Sequence, residues 1–366
     1  MFVLVNVHMM IQVNKYTSMK KIFITVGCTV ISVMSASRAV AADLNFSQFF
    51  VFGDSLSDTG NVFTATTALG NPIPVPTTTS GQPAYFNGRF SNGPIWVDYF
   101  GQQISKQPTP YLLSQFAGTQ GGVNYGFSAA ETGVQSINAP VPGILGQVGL
   151  FSTQPNVPVD SNAIYSIFGG ANDYTSAFTR GIAPNVSEVV GNLTTSINLL
   201  AQKNAKNFLV FNLPDIGDTP LARANNLTQP LNDLVKLHNS QLTTALNDLR
   251  TKRPDLNIYS VDFNSFFKTL RNNPGQFGFT NVNDACLTGN NALATNVCSN
   301  PNEYLFFDDV HPSSAAHRLL ANAALASIHS GNKSIPEPSM ALGLLTLAGL
   351  GTARVVKRKN KKLILK

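Results

Sequence analysis

Charge is scarce in this 366-residue chain, where Asp, Glu, Lys and Arg together make up 12% of the residues. So are histidine, with five residues, cysteine, with three, and tryptophan, with one. No His, Cys and Glu stand together at ligand spacing, so no metal site is expected. A phosphate loop is missing as well. The Gly-rich stretch Gly169-Gly170-Ala171-Asn172-Asp173 has neither a Lys-Ser/Thr ending nor G-x-G-x-x-G spacing, which argues against nucleotide binding. Asp54 and Asp58 sit too locally, in one short segment, to read as the carboxylate pair of a glycosidase. No internal repeat is visible, and nothing calls for a cofactor. The formal net charge of +6 would suggest an anionic partner, but its distribution removes that reading. Residues 1–42 hold four bases, and residues 331–366 hold eight against one acid; thirteen bases and eighteen acids remain between them, a net of −5. The body has no basic patch interleaved with aromatics, so nucleic acid is not an expected partner.

Apolar runs of the roughly 20 residues that a spanning helix needs are also missing, yet two shorter ones mark the ends. Lys20 and Lys21 precede an apolar run from Ile22 to Met34, and "ASRAVAAD" follows, which reads as an export signal cut after Ala41 or Ala42. Met19 is then a candidate start, with residues 1–18 an extension; a membrane anchor is the alternative. Cys28 lies in this segment behind Thr25-Val26-Gly27, a poor lipidation context, and is expected to be lost with it. The other end reads "IPEPSMALGLLTLAGLGTARVVKRKNKK": a Pro-Glu-Pro triplet, an apolar stretch from Met340 to about Val356, and a basic cluster suited to the cytoplasmic side of a membrane. In this order the three parts resemble the PEP-CTERM sorting signal of bacterial exported proteins. The resemblance implies an exosortase-type processing enzyme as partner and transient membrane association through the tail, with a plain tail anchor as the alternative. The expected organisation is residues 1–42 as extension and signal, 43–330 as one domain and 331–366 as sorting tail. The expected location is extracellular or at the cell surface.

Once the signal is removed, Cys286 and Cys298 are left, an even number for an oxidising compartment, with the polar loop "LTGNNALATNV" between them. A local disulfide is expected, contributing on the order of 3 kcal/mol in the chain-entropy model; two free thiols are the alternative.

Five short runs within the body read as buried strands: Phe49–Phe52, Gly122–Tyr125, Ala163–Phe168, Phe208–Asn212 and Ile258–Phe263. Helical spacing follows. Val190, Leu193, Ile197 and Leu200 share one stripe, and so do Leu231, Leu234, Leu242, Leu246 and Leu249. Strands alternating with helices imply an α/β fold, a parallel sheet covered on both faces. The Pro/Thr/Gly-rich segments Asn71–Pro83 and Ile137–Val159 are expected as surface excursions around a cleft. In open sheets of this kind ligands sit beyond the carboxyl ends of the strands. Four segments are expected there: Gly53-Asp54-Ser55, Gly126 to Ala130, Gly169 to Asp173, and the late stretch with Asp308 and His311.

Ser55 stands in "FFVFGDSLSDTGN" and has two readings. Ser-x-x-Asp ahead of a helix can be a capping box; a serine can also be a nucleophile if a base takes its proton. His311 is a candidate base, and Asp308, three residues before it, can reach Nδ1 while Nε2 faces outward. Asp-x-x-His-Pro can equally be a helix-entry loop. Asn172 can offer its amide to a developing oxyanion, or it can be a turn or cap asparagine. His317 and His329 are expected on solvated faces of the last helix, and His238 within a helix without a partner.

Taken together, "FGDSLSDTGN", "GRFSNGPIWVDYF", "GVNYGFSAAETG", "GGANDY", "FNLPDIGDTP" and "FDDVHPSSAAHRLLA" resemble, in order, the motifs of the GDSL lipase/esterase family within the SGNH hydrolases. The resemblance implies a flavodoxin-like three-layer α/β/α sandwich with a mostly parallel five-stranded sheet. It also implies a serine esterase or lipase with Ser55 as nucleophile, His311 as base, Asp308 as its orienting carboxylate and a small-molecule or lipid ester as substrate. The oxyanion donors would be the backbone N–H groups of Ser55 and Ala129 and the side chain of Asn172. One position departs from the pattern: the family's second block usually carries a glycine pair where this chain has Ser128-Ala129. A positive φ at Ala129 would bring a Cβ penalty of about 1 kcal/mol. A non-catalytic surface or matrix protein reusing the fold is the second function class.

Overall fold

The computed structural model describes residues 44–137, 139–154 and 159–331. The expected signal and nearly all of the sorting tail lie outside the described residues. A six-stranded sheet forms the centre: β1 (Phe49–Gly53), β2 (Thr109–Pro110), β3 (Val123–Asn124), β4 (Ile164–Phe168), β5 (Asn207–Phe211) and β6 (Asn257–Val261), in the order β2-β3-β1-β4-β5-β6. Every neighbouring pair is parallel, with Val51 opposite Asn124 on one side and Ser166 on the other. The chain leaves β1 for one edge, returns beside it as β3, then continues on its far side as β4. β1 therefore lies at the switch in strand order, where such sheets open a crevice beyond the strand ends.

Eight helices of two turns or more surround the sheet among the described residues: α1 (Asn61–Ala68), α2 (Trp96–Gln103), α3 (Ile144–Thr153), α4 (Ala171–Thr179), α5 (Val186–Gln202), α6 (Thr228–Lys252), α7 (Phe263–Asn272) and α8 (Ser314–His329). The side-chain period of two in β1 divides its aromatics between the two layers. Phe49 packs edge-on against Trp96 and Phe100 of α2, whereas Phe50 and Phe52 meet Phe151 of α3. β4 repeats the division, Tyr165 lying with Phe50 and Phe151 while Phe168 stacks on Phe211 near Trp96. Both faces of β1, β4 and β5 are buried along their whole length, which explains why their sequences read as continuous apolar runs. Each such phenylalanine contributes roughly 1.5–3 kcal/mol by leaving water. α2, α7 and α8 cover one face and α3, α5 and α6 the other, giving the α/β/α sandwich.

Two expectations change. Segment 137–159 is not all surface loop, because it contains α3 with Ile144, Val148 and Phe151 buried against the sheet. Glycines at 143, 146 and 149 mask its helical period. The sheet also has a sixth strand at its edge, the two-residue β2, where a proline is tolerated because the outer side needs no donor.

A satellite cluster braces the chain ahead of α8. Strands β7 (Asn281–Ala285), β8 (Leu287–Gly289), β9 (Ala294–Val297) and β10 (Tyr304–Phe306) form two small ladders, β7 with β10 and β8 with β9. Cys286 and Cys298 are bonded, with Cα atoms 5.0 Å apart. Segment 71–83 docks on the β8–β9 hairpin through Val75 N–H to Asn291 O and Thr79 N–H to Ala294 O, each at 2.9 Å. Ala84, Tyr85, Cys286, Leu287, Ala294 and Phe307 are buried together beneath it.

Candidate active site

β1 ends at Gly53, where an added Cβ would meet Phe168 O at 2.8 Å, so only glycine fits this close approach. The chain then turns sharply: Ser57 and Asp58 both donate their N–H to Asp54 O at 2.9 Å. This presents Ser55 at the strand end, 9% exposed. The capping role falls to Asp58, whose carboxylate accepts from the N–H groups of Gly60, Asn61 and Val62 at 2.8, 2.6 and 3.2 Å as α1 begins. Ser55 Oγ instead lies 2.8 Å from His311 Nε2.

His311 and Asp308 occupy the tight segment between β10 and α8, closed by Phe307 N–H donating to His311 O at 2.8 Å. His311 Nδ1 is 2.7 Å from Asp308 Oδ2 and 2.9 Å from Oδ1. Asp308 Oδ1 also accepts from the N–H groups of Val310 and His311 at 2.9 and 2.7 Å. Burial opposes the charge on Asp308, but His311, the Val310 N–H and Tyr85 outweigh it and hold the carboxyl below its usual range. Burial likewise pushes His311 down, and the charge and hydrogen bond of Asp308 overcome it, leaving the imidazole above its ordinary value. An ionised carboxylate thus fixes Nδ1 as a donor and turns Nε2 toward the serine.

The turns after β3 and β4 are locked to the serine turn. Ser128 N–H donates to Asp58 Oδ2 at 2.9 Å, and Asn124 Nδ2 donates to Ser57 O and Thr59 Oγ1 at 2.7 and 2.8 Å. Asn61 Nδ2 reaches Asn124 O and Gly126 O at 2.9 and 2.8 Å. On the other side Asn172 Nδ2 donates to Ala130 O at 2.9 Å, and Asp173 accepts from the N–H and hydroxyl of Thr132. Asn172 is therefore oriented with its amino group toward the second turn, and its other N–H meets no acceptor among the described residues. Neither Ser55 N–H nor Ala129 N–H donates to another group among the described residues. Ala129 takes φ +63°, the left-handed region that the family's glycine would occupy without strain.

A family model for the GDSL-like lipase/acylhydrolases matches residues 49–324, a span that carries all these segments. The chain belongs to that family. This GDSL-family chain is 26% identical to GDSL esterase/lipase 5 of Arabidopsis thaliana, over 90% of its own length and 96% of the relative's. It is also 26% identical to the phosphatidylcholine-sterol acyltransferase of Aeromonas hydrophila, over 85% of its length and 98% of that protein's. Among solved structures it resembles a catalytic mutant of an acetylxylan esterase from Geobacillus stearothermophilus, at 16% identity and TM-score 0.41, covering 77% of this chain and 94% of that one. The sandwich is the SGNH hydrolase fold, and the GDSL-family protein is an ester-hydrolysing enzyme.

Several residues of this GDSL-family site escape sequence reasoning. Tyr85 donates its hydroxyl to Asp308 Oδ2 at 2.7 Å across 223 positions of sequence. Gln147 of α3 grips Gly53. Neither carries a local motif; both follow from tertiary packing alone. The remaining histidines divide. His238 has a partner after all, Tyr174 Oη at 2.8 Å from Nδ1, and burial lowers it to about 4. His317 is buried and not solvated, because its face of α8 lies against the sheet, and burial lowers it to about 3. His329 is exposed as expected. Asp54 and Asp173 are pushed up to about 6 by burial. A cavity of about 640 Å³ opens beside Tyr85, lined by Phe63, Pro76, Pro83, Phe86 and Leu113 together with polar Asn87, Arg89 and Asn92.

Proposed function

We propose that this chain is an exported serine esterase or lipase that cleaves carboxylic esters through an acyl-enzyme on Ser55. The observation that carries the reading is the unbroken series from Ser55 Oγ to His311 Nε2 at 2.8 Å and from His311 Nδ1 to Asp308 Oδ2 at 2.7 Å. Ser55 Oγ attacks the ester carbonyl while His311 takes its proton; Asp308 orients the ring and stabilises the imidazolium. Charge then develops on the carbonyl oxygen, which Ser55 N–H, Ala129 N–H and Asn172 Nδ2 receive. His311 returns the proton to the departing alcohol, and water repeats the sequence to release the acid. The match to the GDSL-like lipase/acylhydrolase family supports an acyl ester as substrate. The test is hydrolysis of p-nitrophenyl esters of graded acyl length. Ser55→Ala and His311→Ala should each lower kcat by about 10³-fold or more with folding intact, and near-wild-type turnover by Ser55→Ala would overturn the assignment.

The two ends support export, sorting by an exosortase-type enzyme and transient membrane attachment through the tail; the Cys286–Cys298 bond suits the oxidising compartment that export leads to. Intact mass of protein from its native host should show a chain beginning near Ala42 or Asp43 and ending near Pro336. A mature chain that keeps the whole tail would point to a simple anchor.

A further inference from the structure

Oδ2 of Asp308 carries two donors, the His311 Nδ1–H and the Tyr85 hydroxyl, each at 2.7 Å. The second comes from a different part of the chain, and its ring is held with little freedom. Tyr85 is 3% exposed, packs edge-on against Phe307 at 5.2 Å, and contacts Phe90 at 6.3 Å. Phe90 in turn lies 5.3 Å from the His311 ring. Burial and the Asp308 charge push the phenol far above its ordinary value, so it stays protonated and donates. Its acceptor is an ionised carboxylate, which makes the bond charge-assisted.

We propose that Tyr85 is a positioning residue for ester hydrolysis: its hydroxyl fixes Oδ2 of Asp308, so that the carboxylate holds His311 in the ring orientation facing Ser55. The proposal rests on the Ser55–His311–Asp308 reading above. Two consequences follow from the chemistry. Without the hydroxyl the carboxylate keeps the Val310 and His311 N–H groups on Oδ1 but loses the donor that fixes Oδ2, and small misplacements at a reacting centre are expensive in rate. Without it, too, one fewer donor shares the carboxylate's charge, so more of it acts on His311, favouring the imidazolium and removing active base at a given pH. The other groups that act on His311 are Asp309, Asp54 and His317, none of which the substitution alters.

The experiment compares wild type, Tyr85→Phe and Ser55→Ala in kcat, KM and the pH profile of kcat/KM with one p-nitrophenyl ester, with thermal melts as a check on folding. Tyr85→Phe keeps the ring packing. It should lower kcat roughly 3- to 30-fold, leave KM within about twofold, and move the acidic limb up by about 0.5–1 pH unit. Replacing Tyr85 by 3-fluorotyrosine, a more acidic and stronger donor of nearly the same shape, should move that limb down. Wild-type kcat with an unmoved limb in Tyr85→Phe, or a limb that 3-fluorotyrosine leaves in place or moves up, overturns the proposal. If Ser55→Ala itself retains turnover, the triad reading fails first and takes this proposal with it; if Ser55→Ala is inactive and Tyr85→Phe is unchanged, only the proposal for Tyr85 fails.

Discussion

Gln147 closes both backbone groups of Gly53, accepting from its N–H through Oε1 at 2.8 Å and donating to its C=O through Nε2 at 2.9 Å. A side chain from α3 thus stands in for a neighbouring strand at the end of β1, two residues before Ser55. Gln147 is fully buried. In Gln147→Leu the Gly53 C=O keeps the Phe127 N–H at 3.1 Å, but the Gly53 N–H is left without a partner. The expected loss is about 1–3 kcal/mol of stability, together with a several-fold fall in kcat. Urea unfolding and steady-state kinetics check both, and an unchanged midpoint would contradict the role.

Ala129 and Asn172 test the proposed oxyanion site in opposite directions. Ala129→Gly relieves about 1 kcal/mol of left-handed strain, partly offset by the extra freedom of glycine in the unfolded chain. Denaturant melts should therefore show equal or slightly raised stability, with kcat preserved or modestly raised. Asn172→Ala should lower kcat by roughly 10²–10³ with little change in KM, because the donor matters once charge develops on the carbonyl oxygen. It should also lose a little stability through the Ala130 O contact. Undiminished turnover in Asn172→Ala would leave no working oxyanion amide.

In the proposed mechanism His311 must be neutral to accept the serine proton, so activity should depend on pH through it. Its value is raised, so the acidic limb of kcat/KM should lie above the ordinary histidine value of about 6.5. The linked effect on folding has a definite sign. The raised His311 contributes stability fully below its unfolded value, and that contribution is lost as pH rises through the folded value. The depressed Asp308 contributes above its unfolded value and loses that as pH falls through the folded one. Asp308→Asn should abolish the raised limb along with most turnover; a limb that stays in place would contradict the pairing.

The bond between Cys286 and Cys298 sits in the cluster that also holds Tyr85 and Phe307, and Cys286 N–H donates to Phe306 O at 3.3 Å, just before Asp308. Reduction should loosen the segment carrying Asp308 and His311 more than the six-stranded sheet. Activity is therefore expected to fall at reductant concentrations that leave the far-ultraviolet circular dichroism unchanged. Thiol titration of the denatured, unreduced protein should find no free thiol at these two positions, and two would contradict the bond.

β1, β3, β4, β5, β6, α5 and α6 were legible because their apolar residues follow the period of a buried strand or one helix stripe. Ser55, Asp308, His311 and Asn172 were legible for a different reason: each follows a strand or precedes a helix at the sheet edge where parallel folds collect their ligands. Hydrogen bonds join Ser55, His311 and Asp308, and Asn172 reaches the turn of Ala129 through Ala130 O. What was not legible depends on partners distant in sequence. Gln147 and Tyr85 carry no motif, α3 hides behind three glycines, and β2 is two residues long. His317 looked solvated because the face that α8 turns to the sheet is set by packing, and its run of alanines gives weak contrast between faces.

Ser55, as the proposed nucleophile, should be the residue that an active-site-directed phosphonate labels. Wild type treated with a fluorophosphonate ester, then measured by intact mass and peptide mapping, should gain one adduct on the peptide containing Ser55. Ser55→Ala should gain none. An adduct on another residue of the wild type, or the same mass gain in Ser55→Ala, would rule Ser55 out as the nucleophile.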